Sequence, residues 1–119
     1  MLGTRYLMEG PVYATQMKAS GLDSRFPEVD ERAHLNSIIF EDLVKGRFTS
    51  DARAAFVAAI ERLRAQGCDA VVLGCTEIPL LISPESSPLP TLDSTRLLAR
   101  AASRRAFGDG ARGDAARPT

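Results

Sequence analysis

The chain has 119 residues, enough for one hydrophobic core and short of what two domains usually need. With 45% hydrophobic and 25% charged residues, its composition is that of a folded globular chain and excludes disorder or membrane spans over most of its length. Lys plus Arg number 15 and Asp plus Glu 15, so no overall field recruits nucleic acid or an anionic membrane.

The charge is unevenly spread. Residues 96–119 hold six Arg and two Asp, leaving an acidic body and a basic C-terminal stretch, which reads as a solvated face. Two cysteines, without a charged and apolar leader at the start, predict free thiols and a cytoplasmic location. A single histidine, His34, and the absence of a CxxC pair leave a zinc site without its preferred ligands, so no metal is expected. His34 itself reads as a packed or exposed side chain rather than a catalytic one.

In chain order, Met1 to Thr4 is too short for a complete buried strand, and Tyr6 to Ser20 predicts a helix stopped by Gly21. Leu22 to Phe26 reads as a short strand. Asp30 is placed to cap a helix that runs to about Lys45 and carries Leu35, Ile38, Ile39 and Leu43 on one stripe, with Gly46 ending it. Ser50 is placed to cap the next, where Phe56, Ala59, Ile60 and Leu63 recur at helical spacing until Gly67. Ala70 to Gly74 is a short apolar, β-branched run that suits a central parallel strand buried on both faces. Pro79 belongs in the first turn of a helix, which puts Cys75 on the turn between strand and helix. Residues 83–92 read as loop, Asp93 or Ser94 as the cap of a last helix reaching about Phe107, and residues 108–119 as a disordered tail. Strands alternating with helices indicate an α/β layer fold with a parallel sheet.

The carboxyl end of a parallel strand feeding a helix is where open α/β sheets bind ligands, because N–H groups converge there and the helix dipole favours an anion. The same field favours thiolate over thiol, which would make the Cys75 sulfur a base or nucleophile; the alternative is a small apolar filler at a tight turn. Thr76 can cap the helix or offer its hydroxyl to a bound carboxylate. Glu77 beside a thiolate opposes its ionisation, which suggests a solvated helix start or a group that orients a substrate ammonium. Gly3-Thr4 repeats the theme of a strand end followed by a hydroxyl residue. Cys68 would lie at the far end of the same strand, roughly 20 Å away at extended spacing, and reads as structural.

The segment Gly74-Cys75-Thr76-Glu77-Ile78-Pro79-Leu80-Leu81 resembles the aspartate/glutamate racemase family, in particular its aspartate racemase branch, where Gly-Cys-Thr-Glu carries the second catalytic cysteine. Leu2 to Tyr6 with Met8-Glu9, Asp30 to Arg32 leading to Ile38 to Leu43, and Leu92 to Thr95 extend the resemblance to about Phe107. The resemblance implies a cofactor-independent isomerase of two similar α/β lobes, working without pyridoxal phosphate, with one cysteine from each lobe facing the substrate. Inversion needs a base and an acid on opposite faces of the α-carbon, each within hydrogen-bond reach.

Family members run about twice this length. The resemblance therefore makes residues 1–92 the second, C-terminal lobe of a three-layer parallel-sheet fold truncated at its start, with residues 93–107 as its C-terminal helix. It carries Cys75 over as the catalytic acid/base, and Thr4, Thr76 and Glu77 as substrate-binding residues. The implied partner is a small amino acid, not nucleic acid or membrane. The opposing cysteine would come from a missing N-terminal lobe or from a homodimer, and the lone chain is expected to racemise little. Leu7 and Leu98 stand where many members have threonine and histidine, so contacts at those positions are not carried over.

Two other readings fit the residues. One is a non-catalytic remnant that binds a small carboxylate or a partner through the surface once covered by the first lobe. The other is a cysteine hydrolase, which needs a base near Cys75 that the sequence does not supply.

Overall fold

The computed structural model describes residues 1–108, an α/β fold built on a small parallel sheet. In chain order it contains α1 (Arg5–Glu9), α2 (Pro11–Ala19), α3 (Val29–Glu41), a 3₁₀ turn (Leu43–Lys45), α4 (Ser50–Ala65), β1 (Val71–Leu73), α5 (Ile78–Leu81), β2 (Thr91–Asp93) and α6 (Ser94–Phe107).

β1 is the middle of the sheet, as its composition predicts. On one side it pairs in parallel with β2, Val71 opposite Thr91 and Leu73 opposite Asp93. On the other side Leu2 makes a parallel bridge to Leu73: the Leu2 N–H donates to the Val72 carbonyl at 2.9 Å and the Gly74 N–H to the Leu2 carbonyl at 2.7 Å. The burial of β1 is one-sided, which corrects the expectation of two covered faces. Val71 and Leu73 are buried in the core, whereas Val72 is half-exposed and lines a cleft of about 400 Å³ with Met1 and Cys68.

The core is one cluster. Phe56, Ala59, Ile60 and Leu63 of α4 meet Leu35, Ile38 and Ile39 of α3, Leu43, Leu2, the two inward residues of β1, and Ile78, Leu81 and Ile82. The heptad-like spacing of these apolar positions on α3 and α4 is what turns one stripe of each helix inward. An ion pair from Arg62 of α4 to Glu31 of α3 ties the two helices at the solvent edge, and the Glu31 carboxylate raises the Arg62 guanidinium above its usual range.

Several predicted boundaries move, each for a local reason. The single helix expected from Tyr6 to Ser20 is two, because Pro11 disfavours helical geometry at the residue before it, and Gly10 is extended at φ −78°, ψ 162°. The strand expected at Leu22 to Phe26 has no paired neighbour and is irregular. Asp30 lies within the first turn of α3 rather than capping it, so it favours the helix through its charge instead of a side-chain hydrogen bond. Thr49, not Ser50, caps α4 by accepting from the Ala52 N–H at 3.0 Å. Thr91 and Leu92, read as loop, form β2 together with the cap residue Asp93, since they complete the sheet beside β1. Gly46, with φ 76°, and Gly67, with φ 95°, occupy the left-handed region where helices stop. The tail predicted from residue 108 falls, beyond Gly108, outside the described residues.

No helix among the described residues is long and apolar enough to cross a membrane. Replacing Phe56, fully buried at the centre of the cluster, by Ala is expected to cost about 3–5 kcal/mol in urea unfolding. Arg64→Ala, which loses only the exposed pair to Glu61, is expected to change stability by less than about 1 kcal/mol.

Candidate functional site

Two strand ends meet at one edge of the sheet. The bridge between Leu2 and β1 sets Gly3-Thr4 beside Gly74-Cys75, so each strand hands its chain to a helix at the same place, α1 after Thr4 and α5 after Glu77. This is the carboxyl end of a parallel sheet, where ligands bind in open α/β folds. β2 ends there too: Asp93 caps α6 by accepting from the Thr95 and Arg96 N–H groups, and the Ser94 hydroxyl donates to the Leu73 carbonyl at 2.9 Å. Ser94 thereby fixes the last residue of β1 before Gly74. In the sequence it stood out only as an alternative cap.

Cys75 is a free, half-buried thiol on the turn that the sequence assigns to it. The helix that follows is shorter than expected, four residues from Ile78 to Leu81, with Pro79 in its first turn. Four residues, Gly74 to Glu77, separate it from β1. A single turn aligns few peptide dipoles, so the expected helix field at Cys75 is weak. The turn contributes a different resource. Among the described residues, the N–H groups of Cys75, Thr76 and Glu77 have no protein acceptor, and backbone donors of this kind are satisfied by water or by a bound anion.

The other predicted residues take defined positions. Thr76 does not cap α5. Glu77 is the cap residue, without a side-chain bond to the helix, and the exposed Thr76 hydroxyl donates to Glu77 Oε1 at 2.9 Å. Thr4 caps α1, its Oγ1 accepting from the Leu7 N–H at 3.3 Å, which leaves its hydroxyl proton uncommitted among the described residues. The fold thus brings Thr4, Cys75, Thr76 and Glu77 to one sheet edge. Cys68 lies before β1, at the opposite end of the strand, and His34 is exposed on α3. At that opposite end the Met1 amine donates to the Arg25 carbonyl at 2.7 Å; burial pulls the amine below its usual range, against the smaller opposing pull of Cys68.

Leu7 was not a site residue from its sequence position, and here it touches both turns. A Cβ added at Gly74 would lie 2.6 Å from Leu7 Cδ1, and one added at Gly3 would lie 2.9 Å from Leu7 Cδ2. Both glycines are therefore needed for close approach, and the Leu7 side chain fills the space that they leave. Among the described residues no group of three His, Cys, Asp or Glu side chains could hold a metal ion.

The chain that builds this sheet edge resembles known proteins over most of its length. Residues 1–102 match the Asp/Glu/hydantoin racemase family, and the chain belongs to that family. Among solved structures, a candidate Asp/Glu racemase from Yersinia pestis is 36% identical with a TM-score of 0.83, over 88% of this chain and 46% of that one. An aspartate racemase homologue from Pyrococcus horikoshii OT3 is 32% identical with a TM-score of 0.74, over 86% of this chain and 46% of that one. The chain thus spans less than half the length of either structure. The α/β lobe with its parallel sheet is that of the Asp/Glu racemases, as the Gly-Cys-Thr-Glu segment led one to expect.

Gly74→Ala is expected to destabilise the chain by about 1–3 kcal/mol through overpacking against Leu7 and the Leu2 carbonyl. Leu7→Ala in the same chain should recover part of that loss, and a double-mutant cycle of urea midpoints measures the coupling.

Proposed function

We propose that this chain carries one half of a cofactor-independent amino-acid racemase site of the aspartate/glutamate type, with Cys75 as the acid/base for one face of the α-carbon. The observation that carries this reading is a half-buried thiol at the carboxyl end of a parallel strand, beside a second turn bearing Thr4.

The chemistry follows from that placement. The Cys75 thiolate takes the α-proton, forming S–H, and the electron pair of the broken C–H bond spreads into the substrate carboxylate. The free N–H groups of Cys75 to Glu77 are suited to the charge that grows on those oxygens, and donors already in place cost no reorganisation during the reaction. Thr4 and Thr76 offer hydroxyls to the same carboxylate, and Glu77 offers a carboxylate to the substrate ammonium. Inversion is complete only when an acid on the opposite face returns a proton, and a racemase of this kind takes that acid from a second thiol. We assign the second thiol to an N-terminal lobe on another stretch of polypeptide, or to the Cys75 of a second copy; the coverage of less than half of the related structures supports the division. A reaction that depends on reduced thiols fits a cytoplasmic setting.

A half-site has a signature of its own. One thiol that removes and returns the proton on the same face exchanges it with solvent while the configuration is retained. The isolated chain, kept dilute enough to be monomeric in D₂O, is therefore expected to place deuterium at the α-carbon of one enantiomer of its amino acid without accumulating the other. Cys75→Ser should lower that exchange by about 100-fold or more. Inversion as fast as exchange would overturn the half-site assignment.

A second reading is favoured by one feature. α2 and α6 bury no side chain, and Val12 and Leu98 are 70% and 71% exposed, as in a surface kept for a partner. In that case the chain binds a small carboxylate or a protein without chemistry, no deuterium enters the α-carbon, and Cys75→Ser leaves binding unchanged.

A further inference from the structure

α1 is five residues long, too short to hold its own place, and its start is fixed from outside. The Arg5 N–H, first in the helix, donates to Asn36 Oδ1 of α3 at 2.8 Å. The Leu7 N–H goes to the Thr4 hydroxyl oxygen at the longer distance of 3.3 Å. The N–H groups of a first turn need acceptors of this kind, and here one of them comes from a neighbouring helix rather than from the cap.

Asn36 gives position as well as satisfying a donor. α3 is anchored in the core by Leu35, Ile38 and Ile39, and Asn36 is half-buried on the flank of that stripe. One turn earlier on α3, Arg32 faces Glu9 at the other end of α1, but that pair spans 3.9 Å, longer than a hydrogen bond, and the Arg32 Nε is buried without a partner. Asn36 thus makes the one side-chain hydrogen bond between α1 and α3 among the described residues. The bond falls on the peptide that joins Thr4 to Arg5. On the other side of Thr4, the Leu2 carbonyl accepts from the Gly74 N–H at 2.7 Å. The sheet therefore fixes the approach to Thr4 and α3 fixes the exit, so the residue with the uncommitted hydroxyl proton has its backbone held on both sides.

We infer that Asn36 is a positioning residue of the Cys75 site: it holds the Thr4 hydroxyl beside the cysteine turn, and it acts on the reaction through Thr4. The inference rests on the assignment of the Cys75 turn as the substrate site.

The test reads deuterium incorporation at the α-carbon of both enantiomers of aspartate and glutamate, in D₂O, by the full chain at monomeric dilution. Asn36→Leu, which keeps the size of the side chain and removes the acceptor, should lower the initial rate about tenfold, since a small misplacement of a binding group costs that much or more. Asn36→Asp, which keeps an acceptor oxygen in place, should stay within about threefold of the unaltered chain. In the Thr4→Val background, Asn36→Leu should change the rate less than about twofold, because the group that it positions is gone, whereas a residue that only stabilises the fold would add its loss in both backgrounds. Asn36→Ala supplies the same comparison if circular dichroism shows that the leucine chain does not fold. An unchanged rate in Asn36→Leu, an equal loss in Asn36→Asp, or a full loss retained in the Thr4→Val background overturns the positioning role while leaving Cys75 as the site. No deuterium in either amino acid with the unaltered chain overturns the site assignment and this inference with it.

Discussion

Two backbone hydrogen bonds, from Leu2 N–H to Val72 and from Gly74 N–H to Leu2, gather the candidate site. They place the first turn of the chain beside the turn that follows β1, and without them Thr4 and Cys75 would sit on unrelated segments. Most other features at this edge exist to hold that register. Leu2 is fully buried in the core, the Ser94 hydroxyl holds the Leu73 carbonyl, and the two glycines let the strand ends close on Leu7. The proposed chemistry needs this arrangement because a side chain that removes a proton from carbon must be held within hydrogen-bond reach of it.

The asymmetry of the fold has the same origin as the asymmetry of the proposed chemistry. One side of the lobe is a finished core, with α3 and α4 packed over Val71 and Leu73. Elsewhere α2 and α6 bury no residue, and α6 shows Leu97, Leu98 and Phe107 to solvent. A 14-residue helix without buried contacts is marginal in water, so α6 depends on the Asp93 cap and on whatever covers its apolar stripe. A lobe with a finished core and an unfinished surface is suited to serve one face of a substrate and to leave the other face to a partner.

Much of this was legible in the sequence, and the residues show why. The period of Phe56, Ala59, Ile60 and Leu63 defined α4, the short β-branched run defined β1, and Gly74-Cys75-Thr76-Glu77 marked the family and the turn after β1. What stayed hidden depends on contacts made across the chain. β2 is three residues whose pairing with β1 is invisible to local propensity, and Leu2 joins the sheet through a single bridge. Pro11 carried a readable signal, the break between α1 and α2, that the surrounding apolar positions masked. Leu7 showed in the sequence only as a departure from the family pattern, and its packing against two glycines 71 positions apart in the chain is made by the fold alone.

The bridge at Leu2 is also where the sheet is thinnest. The Met1 to Thr4 segment is joined to β1 by one residue pair, whereas α3 and α4 share the deepest part of the core. Burial makes up for the short ladder: Met1 and Leu2 are buried and the Met1 amine donates to the Arg25 carbonyl, so the Thr4 turn is anchored by packing rather than by strand length.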